Sequence, residues 1–134
     1  MGIPAMTNDS AGMSVAPGDV CKTPAPPALF VPVPYVNIAQ TQNARGSRQV
    51  LISNKQSLRM GDSIRISSGN EAGVAGGGML SATIKGPAQI SDGSRRVLVE
   101  GRALATLGSP VSHNQQNQPQ GTFVVPSETP VLLV

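Results

Sequence analysis

Along this chain the apolar residues come in short runs and never at sustained helical spacing. Val50-Leu51-Ile52, Val97-Leu98-Val99, Phe123-Val124-Val125 and Val131-Leu132-Leu133-Val134 stand between glycines, prolines and polar residues. Short aliphatic runs closed off by turn formers predict short strands joined by tight turns. Residues 79–86 (MLSATIKG) and 88–91 (AQIS) read as two more strands about a Gly86-Pro87 turn, and 39–47 as a loop. The closing stretch, 123–134, reads as an apolar strand, a proline-containing turn and a second apolar strand. Residues 1–19 are small and polar, with a turn signal at Pro17-Gly18, and predict a flexible or draped N-terminal segment. The fold class is therefore mainly β, as a single domain over 1–134.

One segment departs from this pattern. Residues 20–37, VCKTPAPPALFVPVPYVN, set Pro24, Pro26, Pro27, Pro32 and Pro34 among Leu29, Phe30, Val31, Val33, Tyr35 and Val36. A proline ring removes a donor and clashes with a helical turn, so a helix and a central strand are both excluded. The expectation is an extended rope over 20–38, close to polyproline II, stiff before folding and wrapped over other elements.

A repeat follows. Residues 47–64 (SRQVLISNKQSLRMGDSI) and 94–111 (SRRVLVEGRALATLGSPV) align at a constant offset of 47. Ser47/Ser94, Arg48/Arg95, Val50/Val97, Leu51/Leu98, Lys55/Arg102 and Gly61/Gly108 fall in register. Each copy reads as strand, two-residue turn (Asn54-Lys55, Gly101-Arg102), strand and glycine-led corner, which is a hairpin and a bend. Between the copies, Gly69, Gly73, Gly76, Gly77 and Gly78 crowd into ten residues. No Gly-Lys-Ser/Thr and no helix signal follow, so this is a close approach of backbones and not a phosphate loop.

Composition narrows the function classes. The chain has net charge +3, only 13% charged residues, and no Trp. Scattered charges without an aromatic platform argue against nucleic acid. A single cysteine, Cys21, excludes an internal disulfide. No run approaches the ~18 apolar residues of a membrane span. The start lacks the basic and apolar regions of a signal peptide, so synthesis and folding in the cytoplasm are expected.

Candidate chemistry is sparse. Cys21 and His113 are the only thiol and imidazole. They are the candidate metal ligands, with zinc the candidate cofactor, though a structural zinc wants four ligands. Asp19, Asn114 and Asn117 are the nearest supplements in kind, with amide oxygens poor at the task. The plainer reading is a buried thiol and an exposed loop histidine. Two further readings are a Cys21/His113 enzyme and a small binding module, for sugars, using the Asn/Gln-rich loop at 113–120. The carboxylates fall singly and predict no paired acid–base chemistry.

These residues together resemble the PAAR-like proteins. The stretch DVCKTPAPPALFVPVPYVNIAQ is similar to their opening signature, and GNEAGVAGGGMLS to their Gly-Asp-Glu-Ala-Gly block, with Asn70 where Asp is usual. The last repeat resembles their closing segment, with Ser109 replacing the Asp of a Gly-Asp corner ahead of His113-Asn114. The resemblance implies a tapered, cone-like β structure with a pseudo-threefold base. Such a protein caps the trimeric spike of a type VI secretion or phage-tail-like injection machine, one copy per trimer, and sharpens it for membrane puncture. It also implies an effector carried as a separate molecule, export with the apparatus, and no reaction of its own. The relatives' zinc, held by three His and one Cys, maps here only onto Cys21 and His113. The base should be apolar and flat. Val50, Ile52, Val97, Val99, Val124, Leu132 and Leu133 are the candidate spike-facing residues, with a third hairpin expected at 79–92 or 122–134 beside the two repeats.

Overall fold

The computed structural model describes residues 3–9, 12–126 and 132–133, the last two by their backbone. The turn predicted within 127–130 and the ends of the last predicted strand, Val131 and Val134, lie outside the described residues. In chain order the strands are β1 (Ile3–Pro4), β2 (Met13–Ala25), β3 (Ala28–Gln40), β4 (Leu51–Ile52), β5 (Lys55–Gln56), β6 (Ser63–Ile64) and β7 (Gly77–Gly78). There follow β8 (Ala88–Ile90), β9 (Leu98–Val99), β10 (Arg102–Ala103), β11 (Pro110–His113), β12 (Gln118–Val125) and β13 (Leu132–Leu133). A 3-10 turn, Thr41–Asn43, sits in the predicted loop after β3. The mainly β expectation holds. The strand predicted over 79–86 does not form, because Gly77 and Gly78 pair with β2 and the chain then turns back.

The main sheet runs β3-β2-β12-β11-β8-β6, all antiparallel, with β7 joining β2 beyond the end of β12. The proline rope is therefore not polyproline II. It is a long hairpin of β2 and β3, with β3 at the sheet edge. Its prolines have a reason there. Ile38 turns its N–H and C=O outward, to Ser68, at 2.7 and 2.8 Å. Pro34 and Pro32 share the parity of Ile38 along β3, so their missing donors fall on the free edge. An edge that lacks donors at two of these positions is a poor template for another strand.

Of the flexible and draped alternatives for residues 1–19, the flexible one does not describe residues 3–9 and 12–19. Met6 and Thr7 are fully buried, and β2 begins at Met13. The reason is a closed ring of backbone hydrogen bonds. Met6 N–H donates to Ala105 (2.8 Å), Ala105 to Leu58 (2.8 Å) and Leu58 to Met6 (3.0 Å). Leu58 and Ala105 are repeat mates, so Met6 supplies a third equivalent position. Bridges on either side repeat the pattern: Ala5 with Thr106, Thr7 with Ser57, Arg59 with Leu104.

The hairpins extend this symmetry. β4 pairs β5 (Leu51 with Gln56, Ile52 with Lys55), and β9 pairs β10 (Leu98 with Ala103, Val99 with Arg102). β13 pairs β1 in the same register, Leu132 with Pro4 and Leu133 with Ile3. The third hairpin is thus neither 79–92 nor 122–134 alone. It joins the two far ends of the sequence, and Val-Leu-aliphatic recurs at 50–52, 97–99 and 131–133. In the two covalent hairpins each turn falls one residue before the expected pair, on Ser53-Asn54 (φ 51 and 64) and Glu100-Gly101 (φ 52 and 81). Positive φ at both central residues is what a two-residue hairpin of this twist needs.

Local chemistry also repeats. Ser47 Oγ accepts from the N–H of Gln49 and Val50, and Ser94 Oγ from those of Arg96 and Val97. Asp62 Oδ2 accepts from Arg59 N–H (2.8 Å) where Ser109 Oγ accepts from Thr106 N–H (2.9 Å). Ser109 thus replaces the carboxylate of the corner and keeps its backbone bond. Asp62 additionally holds the buried Arg59 guanidinium (3.0 Å), which also reaches Glu100 (2.9 Å). Asp62→Ser should keep the turn but strip Arg59 of its main counter-charge, lowering stability by roughly 3 kcal/mol. The Arg59→Thr, Asp62→Ser double variant copies the second repeat and should cost less than the single one, read from urea midpoints.

Two apolar clusters result. Met6, Leu58, Ala105, Ile64, Ile90, Val111 and Phe123 are among the main one. Ala5, Val99 and Leu104 form a smaller one, with Ile52 packed against it.

Candidate functional site

β2 alternates strictly at its start, with Ser14 and Ala16 buried. Unbroken alternation would next bury Gly18 and Val20 and turn Asp19 and Cys21 outward. A bulge prevents this: Ala16 faces Asn37 and Asp19 faces Tyr35, so β2 spends an extra residue at Pro17-Gly18, with Gly18 at φ +82. One inserted residue moves the rest of the strand to the other face. Asp19 and Cys21 are both fully buried as a consequence.

Asparagine amides converge on Asp19. Its Oδ2 accepts from Asn37 Nδ2 and from Asn70 Nδ2 (2.6 Å), and its Oδ1 from Asn117 Nδ2. Cys21 Sγ donates to Asp19 Oδ2 at 3.7 Å and receives Asn70 Nδ2 at 3.6 Å and Asn114 Nδ2 at 3.9 Å. Backbone N–H groups hold the far side of these amides. Lys85 donates to Asn70 Oδ1 (3.1 Å), Gly86 to Asn114 Oδ1 (2.9 Å), and Leu80 and Ser81 to Asn117 Oδ1 (2.7 and 3.2 Å). The Gly-rich block makes room, as expected of close-approach glycines. A Cβ on Gly73 would lie 2.4 Å from Cys21 Cβ, and one on Gly78 2.4 Å from Asn117 Cγ.

His113 is not the exposed loop residue of the plainer reading. It ends β11, fully buried, with Nε2 2.8 Å from Ser14 Oγ. The 113–120 stretch is no open polar loop either. Asn114, Gln115 and Gln116 form a tight turn at φ 50, 54 and 66, which returns the chain directly into β12. No hydrogen bond joins His113 to Cys21 among the described residues; Asn114 makes that reach instead. Asn37 Oδ1, Ser81 Oγ and His113 Nδ1 are buried without a protein partner.

Burial sets the chemistry. It pushes the Cys21 thiol up to about 11, helped by the neighbouring Asp19 carboxylate and opposed by the Asn70 bond. A thiol so held is a poor nucleophile near neutral pH. Burial also pushes His113 down to about 4, against the pull of Asp19. The folded state thus keeps a neutral ring while the unfolded chain takes a proton below about 6.5. Stability from this group is whole above pH 6.5 and is lost as pH falls from there to 4, by about 3 kcal/mol. His113→Gln should flatten that part of the pH profile, measured as urea midpoints between pH 7 and 4.5.

The zinc set implied by the resemblance does not fit these residues. Among the described residues, no three of His, Cys, Asp and Glu are placed to hold a metal ion. Asp19 and Cys21 are faced by amide N–H groups, which repel a cation. Asp19 and the asparagines are what sequence reasoning undervalued. Asp19, Asn114 and Asn117 entered it only as makeshift ligands, Asn70 as a deviation, and Ser14 and Asn37 not at all.

The candidate spike-facing residues divide. Val50, Val97 and Val124 are exposed, Ile52 is half-buried and Val99 is only 6% exposed. Val99 is therefore corrected from surface to core. The side chains facing out beside Val50 and Val97 are Leu51 (52%) and Leu98 (61%), which the strand parity of the sequence did not single out. Leu132 and Leu133 occupy the equivalent strand, β13, with side chains outside the described residues.

A family model described as the Toxin PAAR-like domain matches residues 12–120. No curated protein and no solved structure matches the chain.

Proposed function

Because the chain belongs to the Toxin PAAR-like domain family, we propose that it is a structural tip protein, capping the trimeric spike of a type VI secretion or phage-tail-like injection machine. The observation that carries this reading is the threefold ring of Met6, Leu58 and Ala105 with its three hairpins in equal register. A trimer ends in three identical seats about one axis. A single chain can fill them together only by presenting three like faces. Here an internal repeat supplies two, and the pairing of β1 with β13 the third.

Leu51 and Leu98 give that end an apolar surface, suited to burial against a partner. The apparatus, made in the cytoplasm, would carry the chain out and through a target membrane, and a separate effector would ride on it. Catalysis has little support. Cys21, Ser14 and His113 are all fully buried, and the groove of about 330 Å³ at Ile38, Asn43 and Ile66 is lined by none of them.

The test is to mix the purified chain with the trimeric spike protein of its own apparatus and weigh the product. One chain per trimer is expected. No complex, or three chains per trimer, overturns the proposal.

A further inference from the structure

We infer that the cluster around Asp19 is a metal-free clasp, in which a buried carboxylate gathers amide donors from separate segments and does the tethering that a metal ion does in zinc-stapled domains. The argument is one of polarity. A cation site needs lone pairs pointing inward. Here the amide orientations are set from outside. The N–H groups of Lys85, Leu80 and Ser81 can only donate, so the oxygens of Asn70 and Asn117 must face them. Their NH2 groups are then left pointing at Asp19, where they find an anion. Asn114 is held by Gly86 in the same way, and its NH2 donates to the Thr83 carbonyl (2.8 Å) with the Cys21 sulfur at 3.9 Å. Turning any of these amides to offer oxygen to a cation breaks a bond on each side at once.

The clasp ties distant parts of the chain. From Asp19 the bonds span 18 residues to Asn37, 51 to Asn70 and 98 to Asn117. Long closures of this kind restrict the unfolded chain as a cross-link does. Charge-assisted bonds in a dry site are the strong ones. The glycines belong to the same device, since a side chain at Gly73 or Gly78 would push Cys21 or Asn117 away. Asn37 Oδ1, Ser81 Oγ and His113 Nδ1 are the buried side-chain atoms without a protein partner among the described residues, and the experiment asks directly whether a cation uses them.

The full chain, expressed in zinc-supplemented medium and purified without chelator, is analysed for metal and melted with and without EDTA. Far less than one zinc per chain and an unchanged midpoint are expected. Asp19→Asn, which removes the charge and sets one NH2 against the amide donors, should lower Tm by roughly 5–10 °C, and Cys21→Ala by less. Where Asp19→Asn does not fold, Asn70→Ser removes one amide donor pair and takes its place in the comparison. About one zinc per chain, a midpoint that falls in EDTA, or a Cys21→Ala loss exceeding that of the Asp19 or Asn70 variant overturns the inference.

Discussion

Gly69→Ala is expected to cost about 4 kcal/mol, a large share of the stability of a domain this size. Two independent penalties add. Gly69 sits at φ +131, a backbone region nearly closed to side chains, and occupying it costs on the order of 1–3 kcal/mol. Its added Cβ would also lie 2.0 Å from the carbonyl oxygen of Val36. That contact is with backbone, so relief requires β3 to move, and overpacking of this kind costs about 1–3 kcal/mol more. The total stability of a domain this size is only about 5–15 kcal/mol. Moving β3 also disturbs the Ile38–Ser68 bridge and Asn37, which reaches Asp19 from the same strand. The control is Gly108→Ala. That glycine is also left-handed, at φ +90, but an added Cβ there meets nothing within 4 Å. It should cost only about 1–2 kcal/mol. Urea midpoints and soluble yield compare the two, and equal losses would show that the close approach at Gly69 is unimportant.

Leu51→Glu with Leu98→Glu is expected to weaken binding to the trimeric spike by about a thousandfold while leaving the fold intact. Both side chains are more than half exposed, so the unbound chain loses little. Each occupies the same position in its hairpin, facing Gln56 or Ala103 across the pair. At an interface each would be buried, and a central apolar anchor replaced by a charge costs roughly 2 kcal/mol or more. Two of them amount to about 4 kcal/mol, which is the thousandfold change. Leu29→Glu is the control. Leu29 is 91% exposed but lies beside the Pro26-Pro27 turn of the β2–β3 hairpin, in a different sheet from the three hairpins of the threefold end. It should bind the spike as the parent does. Unchanged affinity in the double variant, with the fold retained, would remove the hairpin end as the docking face.

Cys21 and His113 mark the limit of reading this site residue by residue. Their rarity drew them together as ligands. The structure spends them differently, the thiol against Asp19 and two asparagine amides, the imidazole against Ser14. Asparagine gives no such signal in a sequence, because its preference for turns explains it adequately at 70, 114 and 117. Only the company it keeps in space shows that its amide is a donor to a buried charge.

What the sequence alone determined is local. Short strands, the 47-residue repeat, the left-handed corners at Gly61 and Gly108 and the close-packed glycine block all follow from nearby residues, since backbone sterics act over a few positions. The exclusion of the proline run from a sheet interior holds for β3 at the edge and fails for Val20 to Ala25, which lie in β2 between β3 and β7. The tertiary structure alone decided which edge the prolines protect, which face Asp19 takes after the Pro17-Gly18 bulge, and which segment completes the threefold end. A one-residue bulge inverts a strand's faces without changing its composition, and β1 meets β13 across nearly the whole chain. Such pairings are chosen by the burial of the assembled core, which no short window of sequence contains.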